Sequence, residues 1–93
     1  MRDDLLQRME REMDSFSKGQ RQIATYIINH YEKSAYMTAS KLGAAVNVSE
    51  STVVRFAIEL GFAGYPEFQR AMQNFIRNTK MIIIKSKLLW IIS

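Results

Sequence analysis

Residues 39–60 read ASKLGAAVNVSESTVVRFAIEL, and their spacing describes two short helices joined by a tight turn. Leu42, Val46, Val48, Val53 and Phe56 are the apolar positions that close a small core between two helices crossing steeply. Gly43 falls where the second helix passes nearest, so a larger residue there would push the helices apart. Asn47 occupies the turn, where the backbone needs a residue that tolerates positive φ; Gly is the usual choice and Asn the best substitute. Taken alone this is a helical hairpin, and only its outer face distinguishes a helix-turn-helix from an ordinary small bundle.

The second helix begins at a capping signal. Ser49 can accept from the free N–H groups of the next turn, and Glu50 sets negative charge at the positive end. Gly61 stops it. Val53, Phe56, Ala57 and Leu60 recur at helical spacing and face inward, which turns Ser51, Thr52, Arg55 and Glu59 outward. Small hydroxyl side chains beside one Arg suit a helix that enters a major groove, with Arg reaching guanine O6 and N7. A merely solvated face more often carries long Lys and Glu side chains.

Outward from this pair, Leu5, Leu6, Met9 and Met13 form one apolar stripe on an amphipathic helix over residues 4–15. The stripe docks on its own domain in the simpler reading and on a second subunit in the other. Ser17 and Gln20 form a capping box that opens a helix through about Tyr31, with Ile23, Ala24, Ile27 and Ile28 inward. Lys18 and Arg21 lie in its first turn, where a solvated terminus is the simpler reading and a phosphate contact the other. Residues 32–37 connect to Thr38, which caps the first motif helix, and Ala35, Tyr36 and Met37 are expected to pack beneath it. Past Leu60, Phe62 folds back behind Gly61, and Gly64 permits a second bend. Tyr65 is expected to be extended before Pro66, which starts a last helix whose buried stripe is Phe68, Met72, Phe75 and Ile76. Gln69, Arg70, Gln73 and Arg77 are expected to face water or phosphate.

The run VSESTVVRFAIELGFAGYPEFQ, residues 48–69, resembles the signature of the RpiR family of bacterial transcription regulators, whose amino-terminal domain runs into an LGF-x-G-[FY]-x-EF segment. The resemblance extends upstream through SKGQRQIATYIINHYEKSAYMTASKLG, residues 17–43, and covers roughly residues 9–77. Gly19 and Gln20 depart from the better helix formers or acid that the family tends to carry, and Asn47 replaces its usual turn Gly. Family members continue into a sugar-isomerase-type α/β domain that binds phosphosugars. A phosphosugar effector is therefore implied only through a domain absent from this chain, which ends at Ser93.

Composition agrees without deciding. The chain has 93 residues, with 13 Lys and Arg against 9 Asp and Glu for a formal charge of +4, which favours an anionic partner. With no Cys and a single His, His30, the sequence offers neither a thiolate metal site nor a base beside a nucleophile, so neither an enzyme nor a cofactor is expected. Residues 81–93, MIIIKSKLLWIIS, change character abruptly. This run is too short for a membrane span, which needs roughly 20 apolar residues, and in a soluble protein it should pair with a second copy or lie on an apolar surface. No secretion signal is evident, so the expected location is the cytoplasm.

The expected fold is all-α: a helix-turn-helix with a homeodomain-like three-helix core and additional N- and C-terminal helices, residues 1–80 forming the domain and 81–93 an apolar tail. The expected function is sequence-specific binding of double-stranded DNA as the operator-reading domain of an RpiR-like regulator of sugar or sugar-phosphate metabolism. Ser51, Thr52 and Arg55 are the candidate base contacts; Thr38, Lys41, Ser49 and Tyr65 are the candidate phosphate contacts. A homodimer is expected, with Leu5, Leu6, Met9, Met13 and the tail as candidate surfaces. The alternative is a module of the same fold that docks a protein through its first helix and tail.

Overall fold

A computed structural model describes the backbone of residues 5–92 and the side chains of residues 5–78. Within them the chain forms six α-helices and no strand: α1 (Leu5–Arg11), α2 (Lys18–Asn29), α3 (Tyr31–Ser34), α4 (Ala39–Val46), α5 (Glu50–Glu59) and α6 (Tyr65–Ile92), with a 3₁₀ turn at Met13–Ser15 between the first two. The backbone of α6 remains helical beyond residue 80. The packing expected of the apolar side chains in residues 81–93 lies outside the described residues.

Helices α2, α4 and α5 form the central trio, with α1 and α6 packed around them. Ile23 and Ile27 of α2, Leu42 of α4, Val53 and Phe56 of α5, and Phe68 and Met72 of α6 are all fully buried. Each such side chain contributes roughly 1.5–3 kcal/mol relative to exposure. Phe56 lies between two other rings, 5.2 Å from Phe16 and 5.9 Å from Phe68. Leu5 and Met9 are buried in this same core, which removes them from the candidate dimer surface.

The first helix is shorter than its pattern predicts. Ser15 donates from its hydroxyl to the Glu12 carbonyl at 2.8 Å, and the Phe16 N–H reaches the Met13 carbonyl at 3.3 Å. These bonds wind the chain into the 3₁₀ turn, and Phe16, seven residues after Met9 but not among the stripe residues named from the sequence, is buried in the core. The Ser17–Gln20 capping box forms as expected, with both reciprocal bonds present. At its other end α2 stops at Asn29, because His30 leaves the helical region (φ −136°, ψ 53°) before α3 begins.

Three expectations around α6 are corrected. Tyr65 is not extended: the Phe68 N–H bonds to the Gly64 carbonyl at 3.2 Å, making Gly64 the flanking residue and Tyr65 the first of the helix. Pro66 keeps its place in the first turn, where its missing N–H costs nothing. Tyr36, expected beneath the motif, is 66% exposed, while Ala35 before it is fully buried. Gln69 and Gln73, expected to face outward, turn inward instead. Gln69 donates from Nε2 to the carbonyls of Ala35 and Met37 at 3.1 and 3.0 Å, and Gln73 to that of Ala35 at 2.9 Å.

Candidate nucleic-acid interface

Helix α4 starts at Thr38, whose extended backbone (φ −70°, ψ 163°) lets its hydroxyl accept from the Lys41 N–H at 3.1 Å. The loop before it is fixed by α6 through the Gln69 and Gln73 bonds and through Tyr65, whose hydroxyl donates to the Met37 carbonyl at 2.6 Å. The expected phosphate contact at Tyr65 is thereby corrected. The residue is 6% exposed and its phenolic proton is committed inside the domain, so the hydroxyl has no proton left to donate to a phosphate. Burial pushes its pKa up to about 12. Thr38 and Lys41, by contrast, are both exposed on the first turn of α4.

The turn between α4 and α5 forms as its residues require. Asn47 takes the left-handed conformation (φ 63°, ψ 44°), its N–H reaches the Ala44 carbonyl at 3.4 Å, and the Val48 N–H reaches that of Gly43 at 2.8 Å. Asn pays less than other side chains to stand there, because its short amide bonds locally. Gly43 is obligatory for a different reason: a Cβ at this position would stand 2.7 Å from the Val48 carbonyl oxygen and 3.3 Å from that of Ser49, both backbone atoms. Only a hydrogen fits.

Ser49 caps α5, accepting from the Thr52 N–H at 3.2 Å. Its hydroxyl also lies 3.0 Å from that of Ser51 and 2.8 Å from that of Thr52. Three hydroxyl protons serve two oxygen–oxygen contacts, so one proton is left to point at an outside acceptor. The cluster sits on the positive end of the α5 dipole, which favours a phosphate oxygen there, while Glu50 in the same turn opposes one. Thr52 is half-buried, with Gly19 of α2 set against its methyl; a Cβ on Gly19 would lie 3.7 Å from Thr52 Cγ2 and 3.5 Å from Val48 Cγ1. Of the candidate base contacts, Thr52 is thus the one drawn into the domain.

Ser51 and Arg55 are exposed and line one open depression on the outer side of α5, together with Glu50, Val54 and Ile58. Arg55 forms no hydrogen bond or ion pair with any described residue. Behind them Val53, Phe56 and Ala57 are fully buried, so the helix cannot rotate about its axis without exposing core. Val54 and Ile58 were not assigned from the sequence, although their spacing from Ser51 and Arg55 along a helix puts all four on one stripe.

Two backbone bonds close the C-terminal end of this helix. At its C-terminus the Gly61 N–H bonds to the Ile58 carbonyl at 2.9 Å and the Phe62 N–H to that of Ala57 at 3.2 Å, with Gly61 at φ 102°. That paired arrangement needs Gly. A second groove runs along α2 past Lys18, Arg21 and Val46. Lys18 and Arg21 are both exposed on that shoulder, and Arg21 donates from Nη2 to the Phe16 carbonyl at 3.2 Å. Among the described residues no group of His, Cys, Asp and Glu is placed to hold a metal ion, and no helix is long and apolar enough to cross a membrane.

Known proteins share this fold. The helix-turn-helix domain model of the rpiR family matches residues 3–79. Over 66 residues the chain is 32% identical to the HTH-type transcriptional regulator HexR of Pseudomonas aeruginosa, a match covering 71% of this chain and 23% of that protein. Over 47 residues it is 40% identical to the HTH-type transcriptional regulator GlvR of Bacillus subtilis, covering 50% of this chain and 18% of that protein. The solved structure of the Vibrio vulnificus NanR protein complexed with ManNAc-6P superposes with a TM-score of 0.78 at 30% identity, covering 86% of this chain and 31% of that one. The chain thus spans less than a third of the length of each of these relatives.

Proposed function

Because this chain belongs to the rpiR family of helix-turn-helix domains, we propose that it is the operator-reading part of a bacterial transcription regulator, binding double-stranded DNA with the exposed side of α5. The observation that carries this reading is Arg55: an exposed cation, engaged by no described residue, on a helix whose opposite side is locked into the core. In a major groove its guanidinium pairs with guanine O6 and N7, a contact worth about 1–3 kcal/mol of discrimination. Ser51 stands one turn nearer the helix start for a base edge, and Thr52 supports the Ser49 hydroxyl rather than reaching the bases itself. Ser49, Thr38 and Lys41 supply contacts to phosphates, which set register rather than sequence preference.

Tight specific binding takes two copies, their α5 helices entering the groove about 34 Å apart on one side of the duplex. NanR was solved with ManNAc-6P, which supports sugar or sugar-phosphate metabolism as the regulated sphere. A phosphosugar effector would act on the operator-reading domain through a further domain, since the matched region is 31% of NanR. Such a regulator works in the cytoplasm, where its operator is.

The reading is tested by titrating the 93-residue chain into a pool of random duplexes at about 0.15 M salt, where nonspecific phosphate binding is partly suppressed, and sequencing what it retains. Enrichment of a common motif supports operator reading. A folded chain that enriches none sinks it.

A further inference from the structure

Ile58 is one of two large hydrophobic side chains left exposed among the described residues, at 51%, and it stands on the outer side of α5, in the depression that Ser51 and Arg55 line. Val54, half-buried, lies one turn before it, so the two make a short apolar strip that shares the depression with Ser51 and Arg55. We propose that this strip reads the 5-methyl group of a thymine in the operator, with Ile58 as the specificity-determining residue.

The inference rests on the operator-reading function of α5 and adds which base it prefers. A major groove offers a side chain one apolar group, the thymine methyl; every other base edge presents donors and acceptors. Isoleucine has no donor or acceptor, so against a cytosine or adenine amino group it would strip water and return nothing. Continuity with Arg55 argues for DNA as the occupant. An apolar strip interrupted by an uncompensated guanidinium is a poor seat for an apolar protein surface but a good one for a groove that alternates methyl groups with guanine acceptors. Arg55 and Ile58 are three residues apart, about 4.5 Å along the helix axis, against about 3.4 Å between base pairs. The thymine should therefore lie within two base pairs of the guanine that Arg55 contacts.

The test uses the duplex retained in the selection above, with thymines replaced one at a time by deoxyuridine, which removes the methyl and nothing else. Affinity is measured for the native chain and for Ile58→Ala. One deoxyuridine position near the conserved guanine should weaken the native chain about fourfold, the value of one buried methyl-sized group, and should leave Ile58→Ala unaffected. If no position is sensitive in the native chain, or if the variant is as sensitive as the native chain, the assignment is overturned. The native-chain arm stands even if the variant folds poorly. Should no duplex be selected at all, the operator reading fails first and the thymine assignment with it, whereas a selected but methyl-blind operator removes the assignment alone and gives the apolar strip to a protein partner.

Discussion

The Arg8 guanidinium donates from Nη1 to the carbonyl of Leu60 at 2.9 Å, across 52 residues of chain, and lies over the Phe62 ring at 5.5 Å from its centroid. Leu60 ends the helix that carries Arg55. One cation from α1 therefore satisfies a terminal carbonyl of α5 and opposes the negative end of its dipole. Arg8→Ala should lower unfolding free energy in urea by about 1–2 kcal/mol, and Arg8→Lys should restore part of it, because an ammonium keeps the charge without the flat group over the ring. Equal losses in both variants would assign the effect to the planar contact.

Two glycines should respond to alanine in opposite directions. At Gly43 the new methyl meets backbone oxygen at 2.7 Å, the α4–α5 crossing must open, and stability should fall by about 1–3 kcal/mol. At Gly19, within α2, the nearest atoms are side-chain carbons at 3.5 and 3.7 Å. That is ordinary contact, so Gly19→Ala should stabilise by about 0.5–1 kcal/mol through the helical preference of Ala. Thermal unfolding of the pair checks both signs at once.

Asn47 provides a finer test of the turn. Gly adopts φ 63° without a side-chain penalty, whereas Ala has neither that freedom nor an amide to bond locally. Asn47→Ala should cost about 1 kcal/mol, and Asn47→Gly should be neutral or stabilising. A loss on Asn47→Gly as large as that on Asn47→Ala would mean that the amide, rather than the backbone angle, holds the turn.

Tyr65 gives the fold an alkaline limit. Its pKa is raised from 10.0 to about 12 by burial, so the folded chain holds the phenolic proton where the unfolded chain has begun to release it. The stabilisation is complete below pH 10 and is lost as pH rises toward 12. Tyr65→Phe should lower stability at pH 7 by about 1 kcal/mol through the missing bond to Met37, and should flatten the decline between pH 10 and 12. Parallel declines in the two proteins would exclude Tyr65 as their source.

The parts of this fold that were legible in the sequence are those set by neighbours in the chain. Ser17, Thr38 and Ser49 cap helices because a hydroxyl three residues ahead of a free N–H reaches it whatever the tertiary structure, and Asn47 and Gly61 turn the chain by their own backbone preferences. The misread residues are governed by partners far along the chain. Tyr65, Gln69 and Gln73 looked like surface groups, yet they close on the carbonyls of Ala35 and Met37, between 28 and 38 residues away. Polar side chains at surface-like spacing carry no mark of such an engagement. Phe16 continues the spacing of Met9 and Met13 but was passed over because it stands between two helices, immediately before the Ser17 cap, and Ile58 because an apolar residue on a reading face looks the same in sequence as one at the edge of a core.

The central claim is that Arg55 reads a base, and the most direct measurement is duplex selection carried out side by side with the native chain and Arg55→Ala. Arg55 is exposed and engages no described residue, so the variant should fold and melt like the native chain. The native chain is expected to enrich a motif with an invariant guanine, and the variant to retain residual duplex affinity while accepting any base at that position. Enrichment of the same motif with the same guanine preference by both proteins would contradict the assignment.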